Sequence, residues 1–342
     1  STNNTIKLKG PIYSLDHFHR SLHDKGVVIE ANQVEKWNDT LSFPALTDEQ
    51  SAEIFLQLRK APRLDLDIKG EWRIRPDREL DATLQKSLMD LESEDCPEGF
   101  WPVYKGASFN LWQPDTGEYK AWANPLKVLP WLQTKRLKSS QSSRNSVHSE
   151  FDQKYIHDER TLSPNKPRIV FRDISRATDP RTILTSLIPD KCFLDNTAIY
   201  LHFVRGSESD MAYVLGVMSS IPFDWYARRF VEIHVNLFIF NPFPIPRPKK
   251  DNPLYIRVIE LSGRLACPDD RFKEWANKVG VECGTIEESD KEAMIYELDA
   301  LVAHLYGLSE SQLVHIFETF HQGWDYANRL EKVIEYFRQH QS

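Results

Sequence analysis

The sequence predicts a mixed α/β (α+β) fold: a twisted, largely antiparallel sheet followed by an α-helical bundle. Three observations carry this. Residues 167–205 hold short runs of β-branched and aromatic residues separated by turn signals, as in Arg168-Ile169-Val170-Phe171-Arg172 and Thr197-Ala198-Ile199-Tyr200-Leu201-His202-Phe203. From residue 251 onward the apolar positions fall at helical spacing instead. Between them, Asn241-Pro242-Phe243-Pro244-Ile245-Pro246-Arg247-Pro248 excludes helix interior and central strand, because proline lacks the N–H and fixes φ. The expected division is a helical and extended lead-in at 1–60, the sheet region at 61–250 and the helical region at 251–342. The 342 residues, 41% of them hydrophobic, suffice for one large or two ordinary cores.

In the lead-in, Ser14 is a candidate N-cap for a helix carrying Leu15, Phe18 and Leu22, and Gly26 is its candidate stop before a Val27-Val28-Ile29 strand. His17, His19 and His23 lack any metal-binding pattern and read as exposed helix histidines. Thr47 with Gln50 forms a capping-box pattern for a helix through Arg59, ended by Pro62. Leu64-Asp65-Leu66-Asp67-Ile68-Lys69 alternates at period two and predicts a strand. That alternation explains Asp67 and Lys69 better than a nuclease-like acid-x-lysine ending does.

Gln113-Pro114-Asp115-Thr116-Gly117 is a turn, and it predicts a hairpin between Phe109–Trp112 and Glu118–Trp122. The serine-rich stretch Lys138 to Ser146 has no apolar periodicity and predicts an exposed loop. Strands follow at Arg168–Arg172, Phe193-Leu194 and Thr197–Phe203, with a basic turn at Arg176 to Arg181. Tyr213 to Met218 is apolar and too short to separate helix from strand. The proline ladder is an extended exit packed along a surface. Beyond it, helices are predicted at 252–266, 269–278, from a Ser289–Glu292 capping box to Gly307, from Ser309, and from Asp325 onward.

The net charge is −7, but it is unevenly spread. Residues 134–183 carry 11 Lys+Arg against 6 Asp+Glu, and residues 221–250 carry 5 against 2. Residues 251–342 carry 9 against 17, so that helical region is strongly acidic. A local basic patch can neutralise phosphates whatever the total. Arg168, Arg172, Arg176 and Arg181 are candidate guanidinium forks for phosphates or guanine edges, with Arg168 and Arg172 on one strand face. The four cysteines are scattered without metal spacing, no apolar run approaches a membrane span, and no signal peptide is visible at Ser1-Thr2-Asn3-Asn4. A reduced, cytoplasmic chain with no membrane partner is the expectation.

Four blocks in order carry a family likeness. They are Glu79-Leu80-Asp81-Ala82-Thr83 with Trp101–Gly106 and Phe109–Trp112; Pro167 to Thr178; Leu215 to Pro248; and Glu297 to Leu308. Spanning about residues 70–310, they resemble the target-recognition region of large adenine-specific (N6) DNA methyltransferases of the fused type II restriction-modification kind, relatives of TaqI-type and type I specificity domains. The resemblance implies sequence-specific recognition of double-stranded DNA, in a phage-defence setting. It makes the variable 134–166 region a candidate for the groove, adding Lys138 and Arg144 to the DNA contacts, with Arg228 and Arg229 of the third block.

The catalytic part of that family has no counterpart here. The 13 glycines form no Gly-x-Gly, and no Asn-Pro-Pro-aromatic loop exists; Asn241-Pro242-Phe243-Pro244 has phenylalanine where the second proline must stand. No catalytic, cofactor or metal residue is therefore assigned. S-adenosylmethionine is expected in a catalytic methyltransferase domain, acting in cis or in trans. The start at Ser1-Thr2-Asn3 favours a fragment of a longer enzyme over a separate specificity chain. The competing expectation is a protein-docking module for a nuclease or translocase subunit of a defence system, using the acidic bundle.

Overall fold

The computed structural model describes residues 4–341 except 11, 13, 24–25, 38–41, 143–145, 177–178, 232 and 322. The strands are β1 (Thr5–Leu8), β2 (Val27–Glu30), β3 (Arg73–Asp77), β4 (Trp101–Tyr104), β5 (Tyr119–Ala123), β6 (Arg168–Arg172), β7 (Thr185–Ile188), β8 (Phe193–Leu194) and β9 (Ala198–Arg205). The helices of the first half are α1 (Leu15–Ser21), α2 (Ala31–Trp37), α3 (Glu49–Leu58), α4 (Pro125–Ser142) and α5 (Gln153–His157). Those of the second half are α6 (Glu208–Ser219), α7 (Ile221–Ala227), α8 (Leu237–Phe240), α9 (Pro253–Ala266), α10 (Lys273–Val279), α11 (Glu288–Leu305), α12 (Glu310–Glu318) and α13 (Ala327–Gln339).

The mixed α/β class holds. A four-stranded sheet in the order β3-β9-β6-β7 is antiparallel throughout, and a three-stranded sheet in the order β5-β4-β8 has one parallel pair, β4 with β8. The two sheets and the helices form layers. On β6, Ile169 and Phe171 face the large helical core with Ile199 and Leu201 of β9. Val170, between them, packs toward the small sheet with Tyr104, Leu194 and Tyr200. This is the period-two alternation of a strand buried on both faces. The small sheet's other face covers Val128 and Leu132 of α4. The helical core takes residues from Val27 to Phe337, so one apolar cluster runs through the lead-in, sheet and C-terminal spans.

Several elements differ from expectation, each for a physical reason. The first cap of α3 is Asp48 rather than Thr47: its carboxylate accepts the Ser51 N–H at 2.7 Å, and Thr47 merely donates its hydroxyl to that carboxylate. Residues 64–69 are not a strand. Their carbonyls are taken by guanidinium groups instead, with Arg247 on Leu64 and Leu66 and Arg205 on Ile68. The strand lies just beyond, at β3, whose Pro76 sits on a sheet edge where a missing N–H is tolerated. The partner of β5 is β4, not Phe109–Trp112, which instead folds into a tight turn with Trp112 at φ 57°. The stretch from Lys138 to Ser142 is helical rather than a loop, as the end of α4. Tertiary anchors override its serine content: Gln133 donates to Ile156 O at 3.0 Å and Arg136 to Asp158 O at 3.0 Å. The capping box expected at Ser289 is absent, since α11 already begins at Glu288 with Glu287 at its cap. By contrast, Ser309 and Gln312 do form one at α12.

The ambiguous run Tyr213 to Met218 is helical, as part of α6. There Gly216 allows a close approach to α9: a Cβ would lie 2.9 Å from Val258 Cγ1. The proline ladder is extended as predicted, but it runs through the interior, with Phe243 and Ile245 buried. It pairs with 62–64 through Leu64 N to Phe243 O at 2.8 Å and Ile245 N to Pro62 O at 2.9 Å. Prolines bring carbonyls without N–H groups, so side chains must supply donors. Arg59 donates to Pro242 O at 2.7 Å, Tyr306 to Pro244 O at 2.7 Å and Tyr213 to Pro246 O at 2.9 Å. Tyr306→Phe should cost about 1–3 kcal/mol by stranding the buried Pro244 carbonyl. The check is a lowered urea midpoint at unchanged m-value; an unchanged midpoint would show that the ladder does not depend on that donor.

Candidate nucleic-acid interface

The chain crosses from the small sheet to the large one at residues 195–197, between β8 and β9. Asp195 N–H donates to Tyr104 O at 2.8 Å, and the Asp195 carboxylate accepts the Thr197 N–H at 2.8 Å and hydroxyl at 2.5 Å. Thr197 in turn accepts the Gly106 N–H on its hydroxyl oxygen at 2.8 Å and the Asp173 N–H on its carbonyl at 3.0 Å. These bonds stitch the end of β4, the start of β9 and the end of β6 into one floor. A Cβ on Gly106 would stand 3.3 Å from Thr197 O, so a bulkier residue there would press on this crossing.

Above the floor is an open pocket of about 440 Å³, lined by Lys105, Lys120, Arg172 and Arg176 against Asp179 and Asp195. Its size is that of a small-ligand site. Arg172 is half-buried and donates to Phe109 O at 2.8 Å, while its Nε has no hydrogen-bond partner. Burial pulls the Arg172 guanidinium below its ordinary value, opposed by Asp179 and Glu118. Burial also pushes the Asp195 carboxyl up, against the Thr197 hydrogen bonds. Arg176 is exposed, and its N–H donates to Asp179 Oδ2 at 2.8 Å. Lys105 meets Glu118 only at 3.5 Å. Among the described residues neither Lys120 nor Arg176 has a carboxylate within ion-pair distance. The pocket gathers four basic side chains against two carboxylates where the ends of β4 and β6 meet the start of β9.

A second opening, of about 380 Å³, is lined by Lys166, Arg271 and Lys278 among others. Two of its cations are already paired: Arg271 with Asp115 at 2.9 Å and Lys278 with Glu208 at 3.3 Å. It is the weaker anion site for that reason.

The eight basic residues singled out in the sequence divide sharply. Arg172 and Arg176 come together in the pocket. Lys138 is exposed on α4, outside it, and Arg144 lies outside the described residues. Arg168 is 2% exposed and pairs with Glu79 at 3.0 Å. Arg181 is buried against Asp224 at 2.5 Å and donates to Ser219 O at 2.6 Å. Arg229 is buried over the Trp225 ring, 4.3 Å from its centroid, with its donors on the carbonyls of Trp225, Ala45 and Thr319. Arg228, half-buried, donates to the Asp179 carbonyl at 2.8 Å. The forks of Arg168, Arg181 and Arg229 face internal partners rather than solvent.

Sequence reasoning missed Lys105 and Lys120. Lys105 follows Tyr104 and stands opposite Glu118, and Lys120 sits at the register shift between Tyr119 and Ala121, so the β4–β5 pairing brings both to one end of that ladder. The group able to hold a metal ion, Asp77 with His148 and His202, shares no residue with this pocket.

No protein-family model and no curated protein matches the chain. Among solved structures it is similar to the Type IIL restriction-modification enzyme MmeI in complex with DNA, at 14% identity and TM-score 0.38, covering 76% of this chain and 36% of that one. It is also similar to the type IIG restriction endonuclease BpuSI, at 11% identity and TM-score 0.37, covering 85% of this chain and 38% of that one. The chain thus spans little more than a third of either enzyme. Among the described residues no helix is long and apolar enough to cross a membrane.

Arg168→Ala should destabilise the fold by about 3–5 kcal/mol, because it leaves Glu79 buried without its counter-ion. Chemical denaturation checks this. A stable Arg168→Ala protein with selectively weakened anion binding would contradict the internal role.

Proposed function

We propose that this chain is the DNA-recognition portion of an adenine-specific restriction-modification methyltransferase. It would position double-stranded DNA for a catalytic domain, in cis or in trans, that binds S-adenosylmethionine. The observation that carries this reading is the convergence of Lys105, Lys120, Arg172 and Arg176 on one open pocket in a chain whose net charge is −7. The four ordered sequence blocks support it, and two of them, around Trp101–Gly106 and Pro167–Thr178, supply the pocket's walls.

On this reading Arg176 and Lys120 contact phosphates and fix register, while the rigid floor keeps the contacts in one geometry. Arg172, held by Phe109 O, is the residue best placed to present a fork with defined direction to a base edge. Lys138, on the exposed side of α4, adds a further backbone contact. The acidic helix α11, with five carboxylates against one lysine, would stay away from the phosphates and leave the C-terminal helical region to meet the catalytic domain.

Salt dependence tests the reading. Duplex binding should weaken steeply with salt, and a Lys120→Ala/Arg176→Ala variant should reduce the log–log salt slope by about 1 for each phosphate deprived of its cation. Fluorescence anisotropy at several salt concentrations measures it. Binding that is insensitive to salt and to both substitutions would favour the docking-module alternative.

A further inference from the structure

A buried cluster of ligating side chains lies where β3, β9 and the segment after α4 meet. Asp77 ends β3 and pairs in the ladder with Tyr200. His202, two residues along β9, lies on the same strand face as Tyr200. His148 arrives from the short 3-10 turn Val147–Glu150. That turn is held in place: Arg73 and Arg75 both grip Glu150, the former at 2.8 Å, and Ser139 Oγ meets His148 Nδ1 at 3.1 Å. The three donor atoms of Asp77, His148 and His202 lie within 4.8 Å of one another, and both histidines are 6% exposed. Between them is a cavity of about 20 Å³, room for one water-sized body.

A purely structural network accounts for part of this. Tyr200 OH bonds His202 Nε2 at 2.7 Å and Asp77 Oδ2 at 3.3 Å. It does not account for His148. That imidazole stands edge-on to His202 with ring centroids 5.1 Å apart, and among the described residues it hydrogen-bonds neither His202 nor Asp77. Ser139 engages Nδ1, which leaves Nε2 as the nitrogen open to a ligand. A buried imidazole brought to a carboxylate and a second imidazole without bonding either is a group one ligand short.

We propose that Asp77, His148 and His202 bind a single zinc-class divalent ion, which ties the turn after α4 to the edge strand β3 of the large sheet. Two imidazoles and one carboxylate suit a nitrogen-preferring first-row ion, whereas calcium and magnesium need more oxygen ligands. Zinc ligands sit about 2.0–2.2 Å from the metal, so donor atoms spread over as much as 4.8 Å draw together on binding. Tyr200 then turns its hydroxyl to the Asp77 carboxylate as an outer partner, or supplies the fourth ligand. Lys135 and Arg136 also line the cavity, but their donors are directed elsewhere. Lys135 bonds the Glu79 carbonyl at 2.9 Å, and Arg136 bonds Thr161 Oγ1 at 2.8 Å.

The test uses the full chain, stripped with chelator and titrated with zinc chloride by calorimetry and by thermal unfolding. One equivalent should bind and raise Tm, and His148→Ala should weaken binding at least about tenfold. Cobalt(II) substituted into the unaltered chain keeps the test independent of how well the variant folds. It should give visible d–d bands with no thiolate charge-transfer band, as expected for nitrogen and oxygen ligands. Absence of heat and of a Tm shift overturns the proposal. So does a thiolate band, which would place the ion on the exposed Cys96 or on Cys283. A His148→Ala protein that binds zinc as tightly as the parent overturns it as well.

Discussion

The seam between the two sheets depends on one buried ion pair, Glu79 with Arg168. Both charges leave water completely, at a cost of several kcal/mol each, and the pair stands only if the remaining donors and acceptors are met. Most are: Leu194 N–H donates to Glu79 at 2.9 Å, and Arg168 donates to Cys192 O at 3.0 Å and Ser163 O at 3.2 Å. Burial pushes the Glu79 carboxyl up, against the pull of Arg168. The pair therefore binds β6 of one sheet to β8 of the other. It fixes where the chain crosses at residues 195–197, and that crossing is the floor of the basic pocket.

A second consequence concerns how arginine is used. Net charge gives no warning of an anion site, and the positions of individual forks decide the matter. Arg168, Arg181 and Arg229 serve carbonyls and carboxylates of the interior, where a planar fork with five donors satisfies several acceptors at once. The same logic applies to the proline ladder, whose carbonyls are met by Arg59, Tyr213 and Tyr306. Once these are subtracted, the positive charge left lining the pocket is Lys105, Lys120 and Arg176, with Arg172 half-buried. The pocket is basic because four cations line it against two carboxylates.

The elements legible in the sequence were those whose stability is local. Helices α9, α12 and α13 carry their own caps or apolar stripes, and β6 and β9 carry strand-forming residues, so periodicity located them. The illegible elements were set by distant partners. Residues 64–69 alternate like a strand yet have their carbonyls claimed by Arg205 and Arg247, more than 130 residues away. The serine-rich end of α4 is helical because Gln133 and Arg136 anchor the helix to 156–161. Of the candidate pocket's cations, Arg172 and Arg176 could be picked out from the basic segment at and after β6. Lys105 and Lys120 were hidden by pairing β5 with the wrong strand, and the burial of Arg168 was hidden because its partner Glu79 lies almost ninety positions earlier. Asp77, His148 and His202 are scattered over 125 residues, and no spacing rule joins them.

The central claim is that these residues read a DNA sequence. Selection of this chain against a random pool of duplex DNA at low salt, followed by sequencing of the bound fraction, tests it directly. The account predicts an enriched motif, lost when Arg172 is replaced by alanine while salt-sensitive binding persists. Failure to bind duplex DNA at low salt would contradict it.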